Sequence, residues 1–202
     1  MKKLNVEKFV GIAMLAAIIV VLQFFANNIR FGGFSITLVL LPIVVGATLY
    51  GVRAGTLLGA VFGCVVIAGI LLFGPDPFIA VLWSAKPIAT SIVVIIKGAA
   101  AGCLSGLIFK LSLRNNTSLN RIVSSYLAAI VCPIVNTGVF LLAMFTVFKT
   151  QLIELAGDTN TYYFAFIIIA GVNFITELAV NVILAPVIVR LAEFIKVNKR
   201  NR

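Results

Sequence analysis

Asn173, Glu177 and Asn181 stand at i, i+4 and i+8 in the stretch GVNFITELAVN, Gly171 to Asn181, inside a long apolar run. On an α-helix this spacing puts all three on one face, drifting by about 40° per step. An acidic residue at the centre of a membrane helix costs roughly 2.5–3.5 kcal/mol on insertion scales unless it is paired or faces an internal cavity. The ladder therefore calls for polar groups opposite it, for which two other apolar runs supply candidates, Lys97 and Asn136. Such groups can recognise a solute through amide, ammonium and carboxylate contacts, or exchange protons at Glu177. Histidine is absent, which removes the commonest general base and the commonest metal ligand. The three cysteines, Cys64, Cys103 and Cys132, are scattered through apolar stretches and suit neither a disulfide framework nor a zinc site. No catalytic residue, metal or cofactor is expected.

The elements that position these residues follow from hydropathy. The chain has 202 residues, 62% of them hydrophobic and 11% charged, with a mean hydropathy of +1.18, so it reads as an integral membrane protein. A spanning helix needs about 20 mostly apolar residues. Six such runs are expected at about 9–26, 35–51, 53–73, 87–111, 122–148 and 162–195. The fold class is thus all-α, a single six-helix membrane domain over residues 1–202. The N-terminal run follows a basic start, as a signal peptide would, but its length and the lack of a small-x-small exit predict a retained first helix.

Basic residues set the orientation, since cytoplasmic flanks carry the excess of Lys and Arg. With the N-terminus inside, 12 fall on inner flanks (among them Lys2, Lys3, Arg53, Arg114, Arg121 and Arg202), against Arg30, Lys86 and Lys149 outside. Both termini are expected in the cytoplasm. The net charge of +10 is accordingly a topology signal, with anionic lipid headgroups as a further use, and no nucleic-acid partner is inferred.

At 1.5 Å per residue, Lys97 lies roughly 15 Å from the outer end of the fourth run, Asn173 roughly 16 Å into the sixth and Asn136 roughly 18 Å into the fifth. Three helices then offer polar groups at one depth, as the wall of an outward-facing pocket would, with Glu177 a turn deeper and Asn181 deepest. The alternative is that Lys97 and Glu177 serve to neutralise each other while the asparagines satisfy helix backbones. At the rim, Arg30 and Lys86 suit an anionic solute, Trp83 suits stacking and Asn28 suits hydrogen bonding. Each also fits a plain interfacial role, as headgroup contact, membrane-interface Trp or helix terminator. The stretch from Gly74 to Lys86, Pro-rich at its start and apolar later, is expected as a loop able to fold over the pocket.

Small residues recur four apart at Ala13 and Ala17, at Gly55, Gly59 and Gly63, and at Gly98, Gly102 and Gly106. Such stripes mark faces where backbones approach closely, against a neighbouring helix of the chain or a partner subunit.

Six spans in about 200 residues, both ends inside, the Ala13-x-x-x-Ala17 pair and longer outer loops after the first and third helices form a familiar combination. The chain resembles the substrate-specific S components of energy-coupling factor transporters, the vitamin-uptake systems of bacteria and archaea. Phe31 to Gly63, Ala128 to Phe140 and Val172 to Ile188 are similar to the broad branch of that family. The resemblance covers essentially the whole chain. It implies a multi-pass protein of a bacterial or archaeal cell membrane that captures a vitamin or related micronutrient outside. It further implies docking on a transmembrane T component coupled to two ATPase subunits, followed by toppling in the bilayer to face the cytoplasm. Ala13 and Ala17 would belong to the surface that meets the T component. The chain has no G-x-x-x-x-G-K-[ST] loop, in keeping with a subunit that is not an enzyme and leaves ATP hydrolysis to its partners. Arg30, Lys86 and Lys97 together favour pantothenate or another acidic B vitamin. A different class of function is a stand-alone proton-coupled carrier that uses Glu177, although no repeated half is visible in the sequence.

Overall fold

The computed structural model describes residues 6–26, 30–31, 34–35, 39–113 and 117–200, with side chains left out at 26, 30–31, 34–35, 118, 172 and 187–200. The chain is essentially helical. Five helical segments are long and apolar enough to cross a membrane: Val6–Phe25 within α1 (Val6–Ala26), Val52–Phe73 (α3), Pro87–Ser112 (α5), Leu119–Thr146 within α6 (Ser118–Thr146), and Thr161–Pro186. The last runs through α8 (Thr161–Tyr163), a π-helical stretch at Phe164–Ile169 and the first half of α9 (Gly171–Arg200). In the π stretch the Ala170 N–H donates to the Ala165 carbonyl, five residues back. Between α1 and α2, a minimal antiparallel pair sets β1 (Arg30–Phe31) against β2 (Phe34–Ser35), with Arg30 opposite Ser35.

The second expected span is shorter than its apolar run. Helix α2 covers Leu40–Tyr50, 11 residues, or about 16 Å of rise against a hydrocarbon core of roughly 30 Å. Pro42 lies in its first turn, where the missing N–H costs no intrahelical hydrogen bond. The short helix is enclosed by protein: it packs against α1, α3, α5, α6 and α9, and Leu40, Ile43, Val44 and Ala47 are buried. Leu40, Ile43 and Val44 join Ile19, Leu58, Phe62, Cys132 and Ala185 in one of two apolar cores among the described residues.

The second core lies at the opposite end of the bundle, where two short helices cap it. The stretch expected as a loop from Gly74 to Lys86 is largely a helix, α4 (Pro77–Ala85). Asp76 accepts the Ile79 N–H at 2.8 Å as its N-cap, and Pro77 takes the first helical position. Helix α7 (Lys149–Ala156) follows α6. Phe78 and Leu82 of α4 pack with Leu141, Met144, Phe148 and Leu152, so α4 is seated on an apolar core. The Thr90 hydroxyl ties the start of α5 back to α4, donating to the Leu82 and Lys86 carbonyls.

Helices α3 and α5 make the most extensive pairing in the molecule. Both glycine stripes lie in that seam. A Cβ on Gly59 would collide with the Gly98 carbonyl, one on Gly98 with the Gly59 carbonyl, and Gly55 and Gly102 stand in the same relation. The two stripes thus face each other inside the chain. Backbones this close need glycine, and in a membrane such close packing drives helix association.

Candidate functional site

The glycine seam sets the register of two side chains. Phe62 lies on α3 between Gly59 and Gly63, and Lys97 immediately precedes Gly98 on α5. The Lys97 ammonium lies 5.9 Å from the Phe62 ring centroid and 5.2 Å from that of Phe140 on α6. A cation over two aromatic faces is attracted by the ring quadrupoles, by about 2 kcal/mol when desolvated. Lys97 donates no hydrogen bond among the described residues and keeps some accessible surface because it lines a cavity.

That cavity has a volume of about 430 Å³ and lies toward the α4 and α7 end of the bundle. Its polar lining includes Gln23, Asp76, Lys97, Asn136, Thr137 and Asn173. Aromatic walls come from Phe24, Phe62, Phe73, Phe78 and Phe140. Phe24 meets Phe73 edge to face at 5.6 Å, and Phe78 meets Phe140 at 6.1 Å. Ile169 and Ala170, at the end of the π stretch, both line the cavity.

Behind the polar wall lies Glu177, 1% exposed. Its two carboxylate oxygens are divided between two helices: Asn136 Nδ2 donates to Oε2 at 3.5 Å, and Asn173 Nδ2 donates to Oε1 at 3.3 Å. Asn181 Nδ2 donates to the Glu177 backbone carbonyl at 2.9 Å, a contact within its own helix. With Nδ2 committed, Asn136 and Asn173 each retain an acceptor, and both Oδ1 atoms are buried without a hydrogen-bond partner.

The structure therefore gathers Lys97, Asn136 and Asn173 around one cavity and puts Glu177 directly behind it. Two rim candidates stand elsewhere. Lys86 Nζ donates to the Val147 carbonyl at 2.8 Å, securing the α4–α5 corner to the end of α6, and neither Lys86 nor Trp83 is among the lining residues. Asn28 and the Arg30 side chain lie outside the described residues. Sequence reasoning passed over Gln23, Asp76, Thr137 and the phenylalanines. Gln23 carried a signal, an amide in the apolar run of α1 that is 4% exposed, and Phe140 stands one turn from Asn136 on the same face. Asp76 was passed over because its stretch was expected as loop.

Among the five spans α1 is the least buried. Ala13 and Ala17 lie on its exposed side with Val10, Met14, Ile18 and Val21. Gly11 faces the Tyr50 side chain of α2.

Five apolar spans among the described residues, around a cavity of solute size lined by a few convergent polar groups, define a multi-pass membrane protein. Residues 7–189 match the family model for the substrate-specific component of ECF transporters. The chain belongs to that family. A comparison with curated proteins gives no match. Membership makes it the substrate-specific subunit of a transporter, with T and ATPase modules as the partners of its class, rather than an enzyme.

Proposed function

We propose that this chain captures a vitamin-like micronutrient on the outer side of a bacterial or archaeal cell membrane and passes it to a T component driven by two ATPase subunits. The observation that carries the reading is the convergence of Lys97 (α5), Asn136 (α6) and Asn173 (α9) on one cavity of about 430 Å³. Lys97, Asn136 and Asn173 contact the solute in this reading, and Glu177 fixes the two asparagines. The α4 and α7 end faces outward, both termini are cytoplasmic, and α2 counts as a shortened sixth element of one membrane domain. Ala13 and Ala17 belong to the docking face for the T component, consistent with their exposure on α1. The acidic B vitamins favoured by the sequence would rest on Lys97 alone, since Lys86, which strengthened that choice, is engaged with Val147.

Native mass spectrometry of the purified chain against a pool of vitamins and nucleobases tests the reading. One solute should be retained by the wild type and lost from Lys97→Ala and Asn173→Ala. Retention of no solute under any condition would defeat it.

A further inference from the structure

We propose that the cavity is built for an uncharged, planar heterocycle bearing ring N–H donors, and not for an anion. The inference rests on reading the chain as a solute-binding subunit and names the chemistry of what that subunit takes.

The charges come first. Among the described lining residues Lys97 is the cation, and Asp76 lines the same cavity. A second carboxylate, Glu177, is clamped behind it by two lining asparagines. A carboxylate on the solute would be a third negative charge against one positive one, in surroundings that screen poorly. An uncharged carbonyl or ring nitrogen can accept from the Lys97 ammonium without that repulsion.

Hydrogen-bonding capacity points the same way. Glu177 fixes the sense of both amides, since turning either one over would set its carbonyl against the carboxylate. What Asn136 and Asn173 have left uncommitted is Oδ1, and both of these atoms are buried without a partner. A carboxylate group has no proton to offer them. A ring N–H does, and a heterocycle with an acceptor next to such donors matches Lys97 and the asparagines along one edge.

The walls supply the shape. Five phenylalanines line the cavity, two of them under the Lys97 ammonium. Such walls favour a flat conjugated ring, which stacks on or meets aromatic edges and has few rotors to freeze. A flexible acyclic acid gains little from them.

Matched pairs isolate the charge. The purified full chain in detergent is titrated with uracil against orotate, pterin against pterin-6-carboxylate, and lumichrome against its ring carboxylic acid, with pantothenate as the acyclic acid. The tightest ligand is expected to be an uncharged ring compound, and within its ring pair the carboxylate should weaken binding at least about tenfold. Methylating the ring N–H of the best binder should weaken it by a further factor of about ten, through loss of a buried hydrogen bond. If the tightest ligand is a carboxylate, or methylation leaves affinity unchanged, the inference is overturned and the solute-binding reading stands. Binding of no compound from either set counts against that reading and removes the inference with it.

Discussion

The carboxylate of Glu177 is held from two sides, one oxygen by α6 and the other by its own helix. Removing one donor leaves a buried carboxylate oxygen short of a partner. Asn136→Leu is therefore expected to lower the stability of the detergent-solubilised protein by about 1–3 kcal/mol, read as a lowered thermal midpoint. Lys97→Met keeps the length and much of the packing of the side chain while deleting its charge. It should leave the gel-filtration profile unchanged and weaken solute binding at least about tenfold; equal affinity for wild type and variant would show that the ammonium does not touch the solute. Residues of this kind were readable in the sequence because charge or amide in an apolar run is costly and so needs a structural reason. Lys97, Asn136, Asn173 and Glu177 all announced themselves in that way. The aromatic lining did not, since phenylalanine is equally at home against lipid, and only the fold tells Phe62 and Phe140 in the cavity from Phe25, which is 65% exposed.

The seam between α3 and α5 is the element on which the register of the site depends. Gly98→Ala would press a methyl group onto the Gly59 carbonyl, which belongs to backbone and cannot turn aside. The two helices must separate, at a cost of about 1–3 kcal/mol, and Lys97 and Phe62 shift with them. A lowered thermal midpoint together with weakened solute binding is the expected outcome. Gly138→Ala is the contrasting case, for a Cβ there meets nothing within 4 Å. It should be neutral or stabilise by up to about 1 kcal/mol through helix propensity, as thermal denaturation would show. The sequence displayed both glycine stripes and left open whether each met a neighbour in the chain or another subunit; spacing identifies a packing face but never its partner. The long spans were legible from hydropathy alone. Helix α4 was not, although Asp76-Pro77 is a helix-start signal, because the apolar residues after it are too few to span and were taken for loop.

At the scale of the whole molecule, α1 is the span with the most surface to share. Ala13→Trp and Ala17→Trp should abolish uptake in vesicles that also contain the T and ATPase subunits, while solute binding by the isolated variants stays within about twofold of wild type, since neither alanine lines the cavity. Loss of binding as well would signify misfolding, and full uptake would remove Ala13 and Ala17 from the docking face. Membership of the family and a membrane-embedded helical architecture were legible in the sequence because length, hydropathy and basic flanks are properties of the whole chain. The charge balance around the cavity was not legible, because only the folding of α4 brings Asp76 into the lining and ties Lys86, expected at the rim, to Val147. Helix α1 also has a second edge. Gln23 and Phe24 form part of the cavity wall, about 9 Å along the axis from Ala17. One helix thus carries a stretch of cavity wall at one end and the proposed docking face nearer the other. Linkage then binds the two equilibria reciprocally: whatever factor the solute imposes on affinity for the T component, the T component must impose on affinity for the solute.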